Sequence, residues 1–375
     1  MKVLHINCNY MDTWLHQTMV NTLEDLGIEN RVFVPLYKIE GHIVKPKEYV
    51  TATVCFKKWD RISYHYKQKK IYNKLKHNYN FTEFSCLHAY TVFTDGNVAR
   101  KLAKEFNLPY IVVVRNTDVN CFFKYMLHLR ATGIRVLREA KAVIFLSKAY
   151  QKQVLDKYVP EKYKKEIAAK SFVIPNGIDD FWHQNLFVDR PYAVILDRLK
   201  NKQLKLVYAG GIDKNKNITT TCEVVKILRK RGWTVNYTVV GKIKEKNIFE
   251  QIKDQVNYLD AMPKEKLIDV YRNADVFVMP SHTESFGLVY AEAMSQGLPV
   301  IYTKGQGFDG QFEEGIVGYA VSDEDVYEIS ERIIQIVNEY TKISSYAVTK
   351  VKKFKWKTIC ERYIELYQKC LISKE

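Results

Sequence analysis

The sequence predicts an α/β protein of two Rossmann-like, doubly wound domains facing across a cleft. Three observations carry that prediction. A chain of 375 residues exceeds what one hydrophobic core usually organises, so two domains with room for a cleft are expected. Short runs rich in Val and Ile alternate with amphipathic stretches, which is the pattern of βα units around a parallel sheet. That alternation also restarts midway along the chain instead of simply continuing.

In the first series, strands are expected at Lys2 to Asn7, Arg31 to Leu36, Cys86 to Ala89, Tyr110 to Val114 and Ala142 to Leu146. Helices fill much of Thr13 to Leu26, Trp59 to His77, Gly96 to Phe106 and the stretch after Cys121. The strand-like Phe172-Val173-Ile174 runs into Pro175-Asn176-Gly177, whose turn chemistry marks a boundary before a less regular stretch from Asp179 to Lys202. The second series has strands at Leu204 to Ala209, Thr234 to Val240, Val276 to Met279 and, last, Val300 to Thr303. Helices at Ile218 to Arg231 and Phe286 to Gln296 lie between them. The expected domains are therefore 1–180 and 181–355, with a final helix at 356–371 packing back on the first.

Hydrophobic residues make up 47% of the chain and are spread along it, while 16 Gly and 9 Pro are too few for a fibrous or disordered protein. The seven cysteines form no C-x-x-C pair and no metal-ligand spacing with His, so reduced thiols and no metal site are expected. The start, MKVLHINCNY, lacks the apolar stretch of a signal peptide, and no window approaches the ~18 apolar residues of a membrane span. A cytoplasmic protein is the expectation. Formal net charge is +16, which calls for an anionic partner. No helix-turn-helix, zinc finger, RNA-recognition motif or arginine-rich tail accompanies the charge, so nucleic acid is not the expected partner.

The most informative segment runs from Met279 to Pro299, MPSHTESFGLVYAEAMSQGLP, and reads as strand, loop, helix and Gly stop. Pro280 ends the strand, Glu284 lies in the loop, Gly287 allows close backbone approach, and Glu292 falls about two turns inside the helix. Free amides at such a helix start form a phosphate site at the carboxyl edge of a parallel sheet.

Here the chain resembles the large retaining glycosyltransferase family 4, whose members have the GT-B fold and carry E-x7-E followed by Gly and Pro. The resemblance extends to Val207 through Asn217, VYAGGIDKNKN. Family members there have a strand ending in Gly, an Arg beside it, and a Lys five residues after that Arg; the two cations hold the donor diphosphate. Lys216 matches the Lys, Gly211 stands where Arg is usual, and Lys214 is a nearby candidate to compensate. Phe172 to Asp179, FVIPNGID, matches the interdomain segment.

What the resemblance implies is a transferase using a nucleotide-sugar donor, UDP-linked, with the nucleotide-sugar as substrate and no cofactor. Glu292 would bond the ribose and Glu284 the donor sugar hydroxyls, with amides of Ser285, Phe286, Gly287 and Leu288 facing sugar and phosphates. Retention is attributed to same-face attack, the leaving phosphate oxygen helping to take the acceptor proton, so no protein nucleophile is required. The acceptor would be a lipid-linked or oligosaccharide intermediate of a bacterial surface polysaccharide. His88 resembles a His at the end of a family strand near the cleft, with a place in the core or behind the site equally open to it, and Arg115, in VRNTD, stands where a donor contact is common. The family's early Gly-Gly loop is absent, because Asn7 to Trp14 occupies its place, and no G-x-G-x-x-G of a dinucleotide oxidoreductase follows the first strand either.

From Lys57 to Tyr79 the chain is basic and aromatic, with Lys57, Lys58, Trp59, Arg61, Lys69 and Lys70 prominent, a composition suited to an anionic membrane surface. Phe122 and Phe123 form a second candidate anchor. Peripheral attachment at the inner face of the plasma membrane follows as an expectation. A non-catalytic GT-B subunit assisting another transferase, or a GT-B sugar-nucleotide epimerase, are the alternatives.

Overall fold

The computed structural model describes residues 1–372 and separates into two compact units, one of residues 1–177 with 356–372, the other of residues 178–355. The amino-terminal unit holds β1 (Lys2–Ile6), β2 (Glu29–Leu36), β3 (Val50–Val54), β4 (Cys86–Ala89), β5 (Tyr110–Val114), β6 (Ala142–Phe145) and β7 (Ser171–Val173). They form one parallel sheet in the order β3-β2-β1-β4-β5-β6-β7. Every residue of β4, β5 and β6 is buried, as expected of strands covered by helices on both faces. Helix starts are set by side chains that accept otherwise orphaned amides: the Thr13 hydroxyl accepts the Leu15 N–H and the Ser147 hydroxyl that of Tyr150.

The carboxyl-terminal unit holds β8 (Gln203–Ala209), β9 (Thr234–Val240), β10 (Asn257–Leu259), β11 (Val276–Met279), β12 (Val300–Thr303) and β13 (Gly318–Val321). The order is β10-β9-β8-β11-β12-β13, again parallel. In each sheet the strand order reverses direction once, between β1 and β4 and between β8 and β11. Loops leaving the carboxyl ends of the strands diverge at such switch points and leave a crevice.

Four expectations need correction. The second series does not end at Val300 to Thr303, because β13 follows it. The stretch from Asp179 to Lys202 is mostly helical, at Asp180–Gln184 and Tyr192–Lys200. The helix expected from Trp59 begins only at Tyr64; before it the Asp60 carboxylate accepts the Lys57 N–H at 2.7 Å and closes a separate turn over Lys58–Arg61. The helix expected from Phe286 begins at Leu288, since Gly287 has φ +74°, so Glu292 lies little more than one turn inside it.

The last helix, Trp356–Ile372, packs within the amino-terminal unit. The Trp356 ring covers Gly177, where a β-carbon would lie 2.5 Å from the indole. Tyr363 stacks on His88 at 5.2 Å, and the Tyr367 hydroxyl shares a 2.7 Å hydrogen bond with His88 Nδ1.

Candidate functional site

In the carboxyl-terminal unit the switch point lies between β8 and β11, and three loops there are bolted together by side chains. Asn215 is the central bolt: its amide donates to the Thr283 carbonyl at 2.9 Å, while its Oδ1 accepts the Thr283 N–H at 3.0 Å. Asn217 donates to the Pro280 carbonyl at 3.0 Å. Gln306 Oε1 accepts the Glu284 N–H at 3.0 Å, and the Gly307 N–H returns to the Glu284 carbonyl at 2.9 Å. Glu284 is thereby fixed from both sides. Lys216 Nζ meets Glu284 Oε2 at 2.5 Å with both side chains largely buried, and Glu284 Oε1 accepts the Ser285 N–H at 3.0 Å. The two most specific sequence-predicted residues are thus in direct contact.

The helix Leu288–Ser295 begins beside this pair. Its N-cap is Gly287, which has no side chain to satisfy the first amides; the Tyr290 N–H donates to the Gly287 carbonyl at 3.0 Å, and those of Leu288 and Val289 are left for a ligand or solvent. A side chain at 287 would also strike the Tyr290 ring, since a β-carbon there lies 2.4 Å from it. Phe286 is buried, Ser285 and Leu288 half-buried. Glu292 lies further along, half-buried, and burial together with the nearby Asp179 pushes its carboxyl up to about 7, against a smaller pull from Lys264. Lys264 is itself paired with Asp179 at 2.6 Å.

Lys214 is exposed, and its backbone N–H donates to Glu245 Oε1 at 3.3 Å. Gly211 shows what sequence reasoning missed. A β-carbon built on it would lie 2.4 Å from Cε and 2.8 Å from Nζ of Lys244. The space beside Gly211 is filled by a lysine from the loop after β9. That loop is close because Gly241 lacks a side chain; a β-carbon there would lie 1.7 Å from the Gly210 carbonyl oxygen. Past the strand ends the two loops remain paired, with Ile212 N–H on the Lys242 carbonyl at 2.9 Å and Lys244 N–H on the Ile212 carbonyl at 3.1 Å. Lys244 comes a whole βα unit after the Gly211 motif, so no local spacing signals it.

In the amino-terminal unit His88 takes the core place that was open to it beside the cleft one. It is fully buried in β4, between His5, Tyr90, Tyr363 and Tyr367, with its Nε2 lacking a hydrogen-bond partner. Burial holds its pKa well below the usual value, so it is a neutral core residue. Arg115 is half-buried: its Nε donates to the Tyr90 carbonyl at 3.4 Å and its Nη1 to Asn176 Oδ1 at 3.3 Å. Asp118 organises this region, accepting the N–H groups of Val92, Phe93 and Arg115 at 3.1, 3.3 and 2.9 Å.

At the carboxyl ends of β1, β2, β4 and β5 lies a cavity of about 590 Å³ whose walls include Phe56, Arg61, Lys67, Lys38 and Phe122. Lys67 lies over the Phe56 ring at 4.6 Å and Arg61 over Tyr37 at 4.3 Å, cations held on aromatic faces. Of the basic segment, Lys57, Lys58, Trp59, Arg61 and Lys69 are exposed, and Ile62 is exposed too. Lys70 pairs with Asp60 at 2.7 Å. Phe122 and Phe123 do not form an anchor: Phe122 stacks on Phe93 at 4.6 Å, and Phe123 is fully buried against Tyr158. Among the described residues no group of three or more His, Cys, Asp or Glu is placed to hold a metal, and no helix is long and apolar enough to cross a membrane.

The two parallel sheets, each with its site at a strand-order reversal, define the class: an α/β protein of two Rossmann-like domains of the GT-B kind. Residues 197–353 match the family model of glycosyl transferases group 1. A probable sucrose-phosphate synthase of Thermosipho melanesiensis is 25% identical over 77% of this chain and 70% of its own length. The capsular polysaccharide biosynthesis glycosyltransferase CapM of Staphylococcus aureus is 27% identical over 53% of each. The sucrose-phosphate synthase structure from Thermosynechococcus elongatus superposes with a TM-score of 0.76 over all of both chains at 16% identity. Anabaena HepE in complex with UDP gives 0.70 over 98% of this chain and all of that one, also at 16%. Residues 197–353 carry the group 1 module in the carboxyl-terminal unit, and these relatives support a transferase that uses a nucleotide-sugar donor.

Proposed function

We propose that this enzyme transfers a sugar, with retention of its anomeric configuration, from a UDP-linked donor to a lipid-linked or oligosaccharide acceptor of a bacterial surface polysaccharide, working at an anionic membrane surface. The observation that carries the reading is the contact of Lys216 with Glu284 beside the uncapped start of the helix Leu288–Ser295. Cleaving a nucleotide-sugar leaves a diphosphate and an oxocarbenium-like centre, so the site must supply positive charge to one and carboxylate to the other. Lys216 and the free amides of the helix start meet the first need, and Glu284, through the sugar hydroxyls, the second. Glu292 would take the ribose hydroxyls. Donor and acceptor assignments draw support from the relatives: the Anabaena protein binds UDP, and CapM acts in capsule synthesis.

In this reading the amino-terminal unit takes the acceptor, and the cavity bearing Lys38, Arg61 and Lys67 suits an acceptor with an anionic head. Exposed Trp59 and Ile62 next to Lys57 and Lys58 suit the membrane surface.

The test pairs binding with product analysis. UDP-sugars raise the melting temperature in a concentration-dependent way, and Lys216→Gln abolishes the rise. Proton NMR of the product shows the donor's anomeric configuration. An inverted product refutes retention, and stabilisation by guanosine-linked sugars alone refutes the uridine assignment.

A further inference from the structure

Resting on the donor assignment above, we propose that Lys244 supplies the second cation gripping the donor diphosphate, occupying the place that a side chain at position 211 would otherwise fill. Departure of a nucleoside diphosphate develops more negative charge than one lysine can offset, and Lys216 is already engaged by Glu284 at 2.5 Å. A second donor of positive charge is needed within the same crevice. Lys244 comes from the loop after β9, yet its outer carbons and ammonium lie where the first atom of a residue-211 side chain would stand.

Its placement is built into the backbone. The pairing of Ile212 with Lys242 and Lys244 carries the β8 and β9 loops side by side beyond the sheet edge, which fixes where the Lys244 side chain begins. Asp213 then fixes where it ends: its Oδ2 is 3.4 Å from Lys244 Nζ, while its Oδ1 accepts the Lys216 N–H at 3.2 Å. One carboxylate thus registers both lysines. The Lys244 side chain remains 58% exposed, so it can turn from Asp213 to a phosphate without leaving a buried charge behind. The two other candidates for this task lack these tethers. Lys214 has no side-chain hydrogen bond or ion pair among those described, and Arg115 spends its hydrogen bonds inside the amino-terminal unit. The trade is coherent: Gly211 has no side chain, and the end of Lys244 takes up the space where one would begin.

Calorimetric titration with UDP and with uridine tests the assignment. Lys244→Gln weakens UDP binding by about tenfold, the scale of one charge-assisted hydrogen bond to phosphate, and leaves uridine binding unchanged. Lys244→Arg retains most of the UDP affinity. Moving the charge across, with Gly211→Arg in a Lys244→Ala background, restores UDP binding lost in Lys244→Ala alone. Lys242→Gln, an exposed neighbour, serves as the control and has no effect. Unchanged UDP affinity in Lys244→Gln, or an equal loss for uridine, overturns the proposal. If Lys216→Gln leaves UDP binding intact, the donor assignment itself fails; if Lys216→Gln abolishes binding while Lys244→Gln does not, only the present inference fails.

Discussion

Glu292 carries a pH dependence that the proposed ribose contact makes measurable. Its free-state pKa is raised to about 7, chiefly by burial. A ribose diol donates its two hydroxyls best to an ionised carboxylate, so the donor selects the charged form and lowers the pKa when bound. Affinity should therefore rise as pH climbs through 7 and level off above 8. With one proton involved, the loss between pH 8 and pH 6 is about tenfold. Glu292→Gln should bind the donor more weakly at pH 8 and show a flat profile across that window. Calorimetry at several pH values decides it, and an unaltered slope in the variant would move the titration to another group. At this scale the sequence speaks clearly where the chemistry is local. Glu284, Gly287 and Glu292 share one loop and helix, and Lys216 stands at a readable distance from the end of β8. Lys244 was illegible because its partner, Gly211, is brought to it by sheet pairing, and His88 could be read either way because a polar residue at a strand end looks alike whether it faces solvent or a core of tyrosines.

Burial made most strands legible, with the wholly buried β13 an exception. β4, β5, β11 and β12 stand at the positions their apolar runs predict, because a parallel strand between two helical layers must be apolar on both faces, while β9, exposed at Thr234 and Asn236, stands where its alternation predicts. β3 and β10 escaped notice as edge strands, half-exposed and partly polar, and β13 as a four-residue strand opened by glycine. The last helix makes its own prediction. Tyr367 is fully buried and its hydroxyl is the partner of His88 Nδ1, whose ring already has an unpartnered Nε2. Tyr367→Phe keeps the volume but leaves the imidazole with no partner at either nitrogen, so it should cost about 1–3 kcal/mol. Urea unfolding followed by fluorescence measures this. A change below about 0.5 kcal/mol, the usual size for a neutral surface substitution, would mean that the hydroxyl does not hold the helix to β4.

A chain with a net charge of +16 will be drawn to almost any anionic surface, so bulk charge must be separated from a built docking face. The turn Lys58–Arg61 and the start of the following helix combine cations with apolar side chains turned outward: Trp59 is 78% and Ile62 85% exposed, beside Lys57, Lys58 and Arg61. Diffuse charge predicts attraction that vanishes at high salt, since the screening length falls from about 10 Å at 0.1 M to about 3 Å at 1 M. A face that also inserts Trp59 and Ile62 predicts a remnant that salt does not remove. Binding to vesicles containing phosphatidylglycerol should thus weaken steeply with salt but not disappear, while vesicles of phosphatidylcholine alone bind poorly. Reversing Lys57 and Lys58 to Glu should cost at least tenfold, at about 1 kcal/mol for each cation near the surface. Reversing Lys230 and Lys350, exposed lysines of the other unit, changes net charge by the same amount and should cost far less. Trp59→Ser with Ile62→Ser should remove the salt-resistant remnant while leaving the low-salt binding mostly intact. Vesicle co-sedimentation of these variants across a salt series separates the two accounts. Equal losses from the two charge-reversed pairs would leave only nonspecific attraction and withdraw the docking face.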